Sequence, residues 1–364
     1  MEVPQQPIPV TILTGFLGAG KTTLLNRILK ADHGLRVAVL VNDFGSINID
    51  AQLVIDVESE TISLANGCVC CTIRDDLLQT AFTLLERPQP PEYLIIEASG
   101  VSDPWAIADT FLLPELRTYF RLDSVITVID AEYVHRQPSY ESLIVEQISA
   151  ADIVVLNKID LVPSDQLTEL EAWVRRIVPQ ARILPAMYAD VPLRLLLDVG
   201  RLQHRMPLPH LVVAAESDHH DHDHHDHDHD HGSAFATWSY VADQPFTLHA
   251  FRRVILDLPP AIFRAKGLVY LAEVPQRRAV LQLVGSRVQV TVGEPWGNQP
   301  PQTQMVFIGL PGQLDETTLR SAFDRCLIEH EAGTTESVAL QQTWQRPQVS
   351  SANSNADGDQ SIVS

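Results

Sequence analysis

Positive charge is scarce in this sequence: 26 Lys and Arg stand against 46 Asp and Glu, a formal charge of −20. That balance argues against a nucleic-acid-binding surface and for partners that are cationic or neutral. Long apolar runs are missing too. No stretch approaches the roughly 20 apolar residues of a membrane span, and residues 1–9 lack the charged start and apolar core of a secretory leader. A cytoplasmic protein with no membrane partner is expected. There are four cysteines, and three of them, Cys68, Cys70 and Cys71, fall within one short segment. Thiols so crowded exclude a disulfide framework and suit a reducing compartment. Cys326 stands alone and reads as a buried structural thiol. Charged residues make up only 20% of the 364 and hydrophobic ones 45%, which is enough for two domains with substantial cores.

Short apolar runs alternate with helical patterns through the first half of the chain, the signature of a parallel sheet covered by helices on both faces. The strand candidates are 10–14, 36–42, 93–97, 124–130, 153–157 and 182–185. Several are too apolar to alternate and read as strands buried on both faces. Helical patterns occupy 74–86, 104–113, 142–150 and 166–178. After about Met206 the composition changes abruptly, and residues 218–231 are aspartate and histidine alone, from which no packed core can be built. Strand patterns resume at 237–241, 267–273, 279–284, 287–292 and 303–308, with helical patterns at 246–256 and 315–327. The expected organisation is an α/β P-loop domain over 1–206, a His/Asp-rich linker over 207–234, a small α+β domain over 235–330 and a disordered tail over 331–364.

The run from Gly15 to Thr23 fits G-x-x-x-x-G-K-[ST] and follows an apolar strand, as a phosphate cradle requires. Gly15, Gly18 and Gly20 permit a tight turn that aims successive N–H groups of the loop, Ala19 included, at phosphate oxygens. The N-terminus of the next helix adds to that field. Lys21 would reach the β- and γ-phosphates, Thr22 would ligate Mg²⁺, and Thr23 completes the motif. Asn157-Lys158-Ile159-Asp160 closes another apolar strand as N-K-x-D. Asp160 can accept from the N1–H and exocyclic amine of guanine, whereas adenine would leave it unpaired, so GTP is chosen over ATP. Asn157 would brace the loop, and Lys158 would lay its stem along the base. Glu97 ends a third strand, where it would hold Mg²⁺ through water or orient the attacking water. Gly100 would offer its N–H to the γ-phosphate and release the loop on hydrolysis.

Three soft ligands at Cys68, Cys70 and Cys71 can present thiolates to one borderline or soft ion such as Zn²⁺, with a buried turn or a redox pair as the plainer alternatives. The sequence resembles the CobW-type metal-chaperone GTPases. The resemblance rests on Gly15 to Thr23, on the C-x-C-C of Cys68 to Cys71, on the E-x-x-G of Glu97 to Gly100 and on the N-K-x-D. It extends loosely from residue 8 to about 328 through Arg264, Gly267, Trp296 and 305–309. Asn42-Asp43-Phe44-Gly45 is similar to the family's N-E-F-G segment, with Asp43 one methylene shorter than the usual glutamate at a place that would touch metal or Mg²⁺.

The resemblance implies GTP- and Mg²⁺-dependent delivery of a divalent metal to a client apo-metalloprotein, with Zn²⁺ the favoured cargo and Co²⁺ the alternative. Two other readings remain: a cobalt-handling factor for cobalamin or metalloenzyme assembly, and a metal store or sensor with a regulatory nucleotide site. His219, His220, His222, His224, His225, His227, His229 and His231 would gather metal on a flexible arm, or serve only as a solvated linker. A homo-oligomer is left open.

Overall fold

The computed structural model describes residues 7–41, 61–63, 71–136, 138–197, 235–328 and 341–345, with the side chains of 61–63, 71–76 and 341–345 excepted. Seven strands build the first sheet: β1 (Ile8–Thr14), β2 (Val37–Val41), β3 (Thr61–Ser63), β4 (Tyr93–Glu97), β5 (Phe120–Asp130), β6 (Ile153–Asn157) and β7 (Arg182–Ala186). They lie in the order β3-β2-β4-β1-β5-β6-β7, and every pairing is parallel. All residues of β2, β4 and β6 are buried, which is why these segments show no alternation.

Helices cover both faces. Leu24, Leu25 and Ile28 of α1 (Lys21–Lys30) pack with Leu13 on one side. On the other side, α2 (Cys71–Leu85) and α3 (Pro104–Phe111) pack over Ile8, Val10 and Ile12. The short α4 (Pro114–Arg117) follows, and α5 (Glu141–Ser149) and α6 (Ser164–Ile177) flank β6. The three-residue β3 has no counterpart in the sequence reading, being too short to carry a period.

After α7 (Leu193–Leu196) comes an antiparallel sheet of β8 (Ala236–Ala242), β9 (Ile262–Val269), β10 (Arg277–Val284), β11 (Arg287–Pro295), β12 (Thr303–Gly309) and β13 (Gln341–Gln345). Its order is β13-β11-β10-β9-β12-β8. Burial alternates along β12, as in a sheet with one covered face. On that face Trp238, Tyr240, Phe246, Phe251, Phe307 and Phe323 form a cluster shared with α8 (Leu248–Leu256) and α9 (Glu316–Asp324). Side-chain oxygens of Thr247 and Asp315 cap the two helices.

Two expectations change here. β9 begins five residues before the predicted 267, because Arg264 and Lys266 disguise a strand whose arginine is buried. Residues 341–345, expected within a disordered tail, pair antiparallel with β11; an open sheet edge offers main-chain partners to a segment with little apolar surface of its own. Cys326 is 1% exposed, and burial raises its thiol to about 11, so it stays protonated near neutrality.

The two sheets meet at the starts of the parallel strands. Arg264 of β9 pairs with Asp123 of β5 and donates to Leu196 O at 2.6 Å. Asp123 also accepts from Tyr93 (2.8 Å) and Arg121 (2.9 Å), and Tyr93 bonds Thr11. Beside this network the β10–β11 turn presses on Asp152, which accepts from Arg287 at 3.1 Å and from the Val125 N–H at 2.8 Å. Phe263 and Val284 extend the apolar core of the first sheet across the junction.

Candidate nucleotide site

β1 delivers the chain to Gly15, whose φ of 133° suits only glycine, and a Cβ there would lie 2.1 Å from Val128 O. The turn closes at Gly20, again left-handed at φ 107°, where a Cβ would meet Asn157 Nδ2 at 2.4 Å. Gly18 has φ 75° with open space around it. These positions explain the glycine spacing in backbone terms: the loop must pass close to β5 and to the N-K-x-D turn while remaining open on its other side. α1 then starts at Lys21. Its first turn holds no acidic residue, and Arg27 and Lys30 lie in its last turn, so the helix end facing the loop keeps its positive field and free N–H groups. Glycine loop and helix end together fit a phosphate chain.

Lys21 is 8% exposed, with its ammonium 3.4 Å from Phe16 O at the far side of the loop. The Thr22 hydroxyl donates to Glu97 at 2.7 Å, joining the helix start to the end of β4. A hydroxyl whose proton is committed to a carboxylate turns its lone pairs outward, an arrangement suited to a hard cation such as Mg²⁺. Thr23 is exposed and makes no contact that defines a role. Gly100, three residues beyond Glu97, is buried against the phosphate loop, where a Cβ would lie 2.6 Å from Leu17 Cδ2.

Asn157 ties three segments together. It donates to Ala19 O at 2.9 Å and accepts from the Ala189 N–H at 2.8 Å. Lys158 is left-handed at φ 62°, and its ammonium pairs with Asp130 at 2.6 Å. Asp160 is exposed in the turn Ile159–Leu161.

The structure therefore brings together Gly15, Gly18, Ala19, Gly20, Lys21, Thr22, Glu97, Gly100, Asn157 and Lys158. Asp43, Cys68, Cys70 and the histidines of 218–231 lie outside the described residues. Cys71 opens α2, and its side chain is not described. Among the described residues no group of three or more His, Cys, Asp or Glu is placed to hold a metal ion.

Three contributors escape sequence reasoning. Asp130 steers Lys158 and also accepts from the Glu132 and Tyr133 N–H groups at 3.0 and 3.1 Å; its place at a strand end was the available signal. Tyr188 and Ala189 are left-handed at φ 53° and 56°, which is costly for side chains of any size. Arg27 holds that turn by donating to Tyr188 O at 2.7 Å and to Asp190 at 3.0 Å. Nothing in the residue types announces the turn. Gln147 of α5, the third, donates to Gly100 O and Ser102 O.

A parallel sheet whose central strand runs into this loop, with the loop braced by an N-K-x-D asparagine and bonded through its threonine to an acidic strand end, defines a P-loop GTPase. The family model for the CobW/HypB/UreG nucleotide-binding domain matches residues 9–185, and that for the cobalamin synthesis protein cobW C-terminal domain matches 235–327. The chain belongs to this family. It is 32% identical over 322 residues to the zinc chaperone YjiA of Escherichia coli, covering 87% of this chain and 98% of that one. It is 31% identical over 361 residues to the zinc chaperone CobW of Sinorhizobium sp, covering 87% and 97%. With the zinc-regulated GTPase metalloprotein activator 1 of Dictyostelium discoideum it shares 29% over 393 residues, covering 89% and 80%. Among solved structures, the Zn(II)-bound YjiA GTPase of Escherichia coli matches 88% of this chain and 99% of its own at 28% identity, with a TM-score of 0.43.

Proposed function

We propose that this GTPase is a cytoplasmic zinc chaperone that holds its cargo at Cys68, Cys70 and Cys71 and passes it to a client apo-metalloprotein under control of the nucleotide. The observation that carries this reading is how two helices are joined. Cys71 opens α2, and Leu77, Ala81 and Leu84 of α2 pack against Ile107, Ala108 and Phe111 of α3. The loop from Glu97 to Gly100 leads into α3. Thiol segment and phosphate-facing loop are thus each attached to one of two interlocked helices. A shift of one helix displaces the other, because packed apolar surfaces move as units.

In the nucleotide site Asp160 selects guanine, Lys158 lies along the base, and Asn157 keeps the phosphate loop in register with both. Lys21 balances the charge of the β- and γ-phosphates. Thr22 and Glu97 would hold Mg²⁺, which supplies charge neutralisation at the phosphate oxygens when bound. The Gly100 N–H meets the γ-phosphate and loses that contact on hydrolysis. No arginine finger is identifiable in the sequence, so turnover is slow and switch-like. The histidines of 218–231 gather metal, and capture there weakens as pH falls and imidazoles protonate. Among the described residues no helix is long and apolar enough to cross a membrane.

Titration with Zn²⁺ and Co²⁺ in the presence of GDP or a non-hydrolysable GTP analogue tests the coupling. Affinity is expected to be about tenfold higher in the GTP-analogue state, within the usual range of allosteric couplings. Replacing Cys68, Cys70 and Cys71 together by Ser should abolish the difference. Equal affinities in the two states, or a triple variant that binds as wild type does, would overturn the reading. In the same titration, deletion of 218–231 should lower metal stoichiometry while GTP turnover stays unchanged; an unaltered stoichiometry reduces the tract to a linker.

A further inference from the structure

Gln147 lies on the buried side of α5 and is 1% exposed. Its amide nitrogen donates to Gly100 O at 3.1 Å and to Ser102 O at 3.4 Å, two carbonyls of the stretch that joins Glu97 to α3. Its main-chain carbonyl accepts from the Thr127 hydroxyl at 2.8 Å, which fixes α5 to β5 at that residue. The amide oxygen is buried and has no hydrogen-bond partner among the described residues. A buried acceptor left unpaired carries a cost and calls for an explanation. Here the side chain is committed to the loop through its donor end.

On its other side the loop is pressed against the phosphate loop, since a Cβ at Gly100 would fall 2.7 Å from the Leu17 main-chain nitrogen. Gly100 is thus gripped between Leu17 and Gln147. The two holds differ in kind: Leu17 acts by close contact, whereas Gln147, which with Leu17, Ile144 and Ile148 borders a cavity of about 240 Å³, acts through directional bonds to the Gly100 and Ser102 carbonyls.

We propose that Gln147 is a positioning residue for GTP over GDP: by holding the Gly100 and Ser102 carbonyls it sets the Gly100 N–H in place for the γ-phosphate before nucleotide arrives. The inference rests on the reading that Gly100 senses the γ-phosphate. The β-phosphate is met by the glycine loop and Lys21, which Gln147 does not touch, so GDP gains nothing from it. Pre-organisation of this kind acts on the ligand that uses the contact and leaves the other unaffected.

The test is the ratio of affinities for a non-hydrolysable GTP analogue and GDP in the full-length protein. Gln147→Met keeps the side-chain volume and removes the donors; Gln147→Glu keeps the shape and places an acceptor opposite two carbonyls. Both should weaken analogue binding about fivefold to tenfold, with GDP affinity within twofold of wild type. Thr127→Val disturbs the same stretch of α5 without touching the amide and should leave the ratio unchanged.

Hydrogen exchange of residues 98–103 in wild type, compared between the analogue and GDP, separates the two layers of the argument. Protection by the analogue alone, together with the altered ratio, establishes the role. Equal exchange in both states overturns the γ-phosphate reading and the inference with it. Protection in wild type with an unchanged ratio in both Gln147 variants, or an equal shift in Thr127→Val, overturns the inference alone.

Discussion

Lys21→Ala is expected to lower GTP turnover by about 10²–10³-fold, the range seen when one pre-placed donor to a developing charge is removed. Lys21 is 8% exposed at the first position of α1, and its ammonium reaches back to Phe16 O at 3.4 Å. The charge therefore lies across the mouth of the glycine loop instead of in solvent, where phosphate oxygens would meet it with little reorganisation. Alanine has the highest helix propensity, and the other loop contacts, Asn157 to Ala19 and Thr22 to Glu97, do not involve the lysine. The variant should therefore melt close to wild type while hydrolysis collapses. Single-turnover kinetics and a thermal scan check both halves; turnover within threefold of wild type would remove Lys21 from phosphate chemistry.

The second large effect lies at the opposite ends of the strands. Arg264→Met should destabilise the protein by about 3 kcal/mol, the lower end of the cost of breaking a buried ion pair. The low end applies because Arg121 still faces Asp123 at 2.9 Å after the change. Burial alone pushes the Asp123 carboxyl up, but Arg264 and then Arg121 outweigh it and hold it below its ordinary value of 3.8. Burial drives the Tyr93 hydroxyl well above its usual range, so it remains a donor to Asp123.

The sign of the pH dependence follows. A depressed carboxyl contributes stability that is present above the unfolded-state value and is lost as pH falls through the lower folded-state value. With Arg264 gone the carboxyl moves up, so the penalty should be largest near neutral pH and shrink below about pH 4. Asp123→Asn in the same chain should recover part of the loss, since the two sites share one network. Urea unfolding at pH 7 and at about pH 3 provides the check, and an equal penalty at both would show that packing, not charge, sets the cost.

How much of this was legible beforehand depended on what kind of signal each residue carries. β2, β4 and β6 could be read because strands buried on both faces must be continuously apolar, and Gly15, Gly20 and Lys21 because a phosphate cradle dictates spacing. The N-K-x-D pattern makes Asn157 a brace, and in the structure its side chain bonds Ala19 and Ala189. The rest was hidden for physical reasons. Arg264 made the start of β9 look polar, since a sequence does not show that a distant Asp123 will neutralise it. Gln147 resembles any polar residue on a surface helix until the fold places Gly100 beneath it. Tyr188 and Ala189 adopt left-handed backbone that Arg27 and Asn157 impose from outside. β13 joins its sheet through main-chain pairing, which residue types specify weakly.

β5 carries one further consequence. Asp123, where the second sheet is anchored, and Asp130, which holds the Lys158 ammonium, sit on the same strand, roughly 23 Å apart at about 3.3 Å per residue. Attachment and the N-K-x-D turn therefore use opposite ends of one strand. The C-terminal module is in effect a handle: its exposed surface can diverge, or be exchanged by an engineer who retains Arg264, Arg287 and the turn at Gly285, without rebuilding the rim where nucleotide is read.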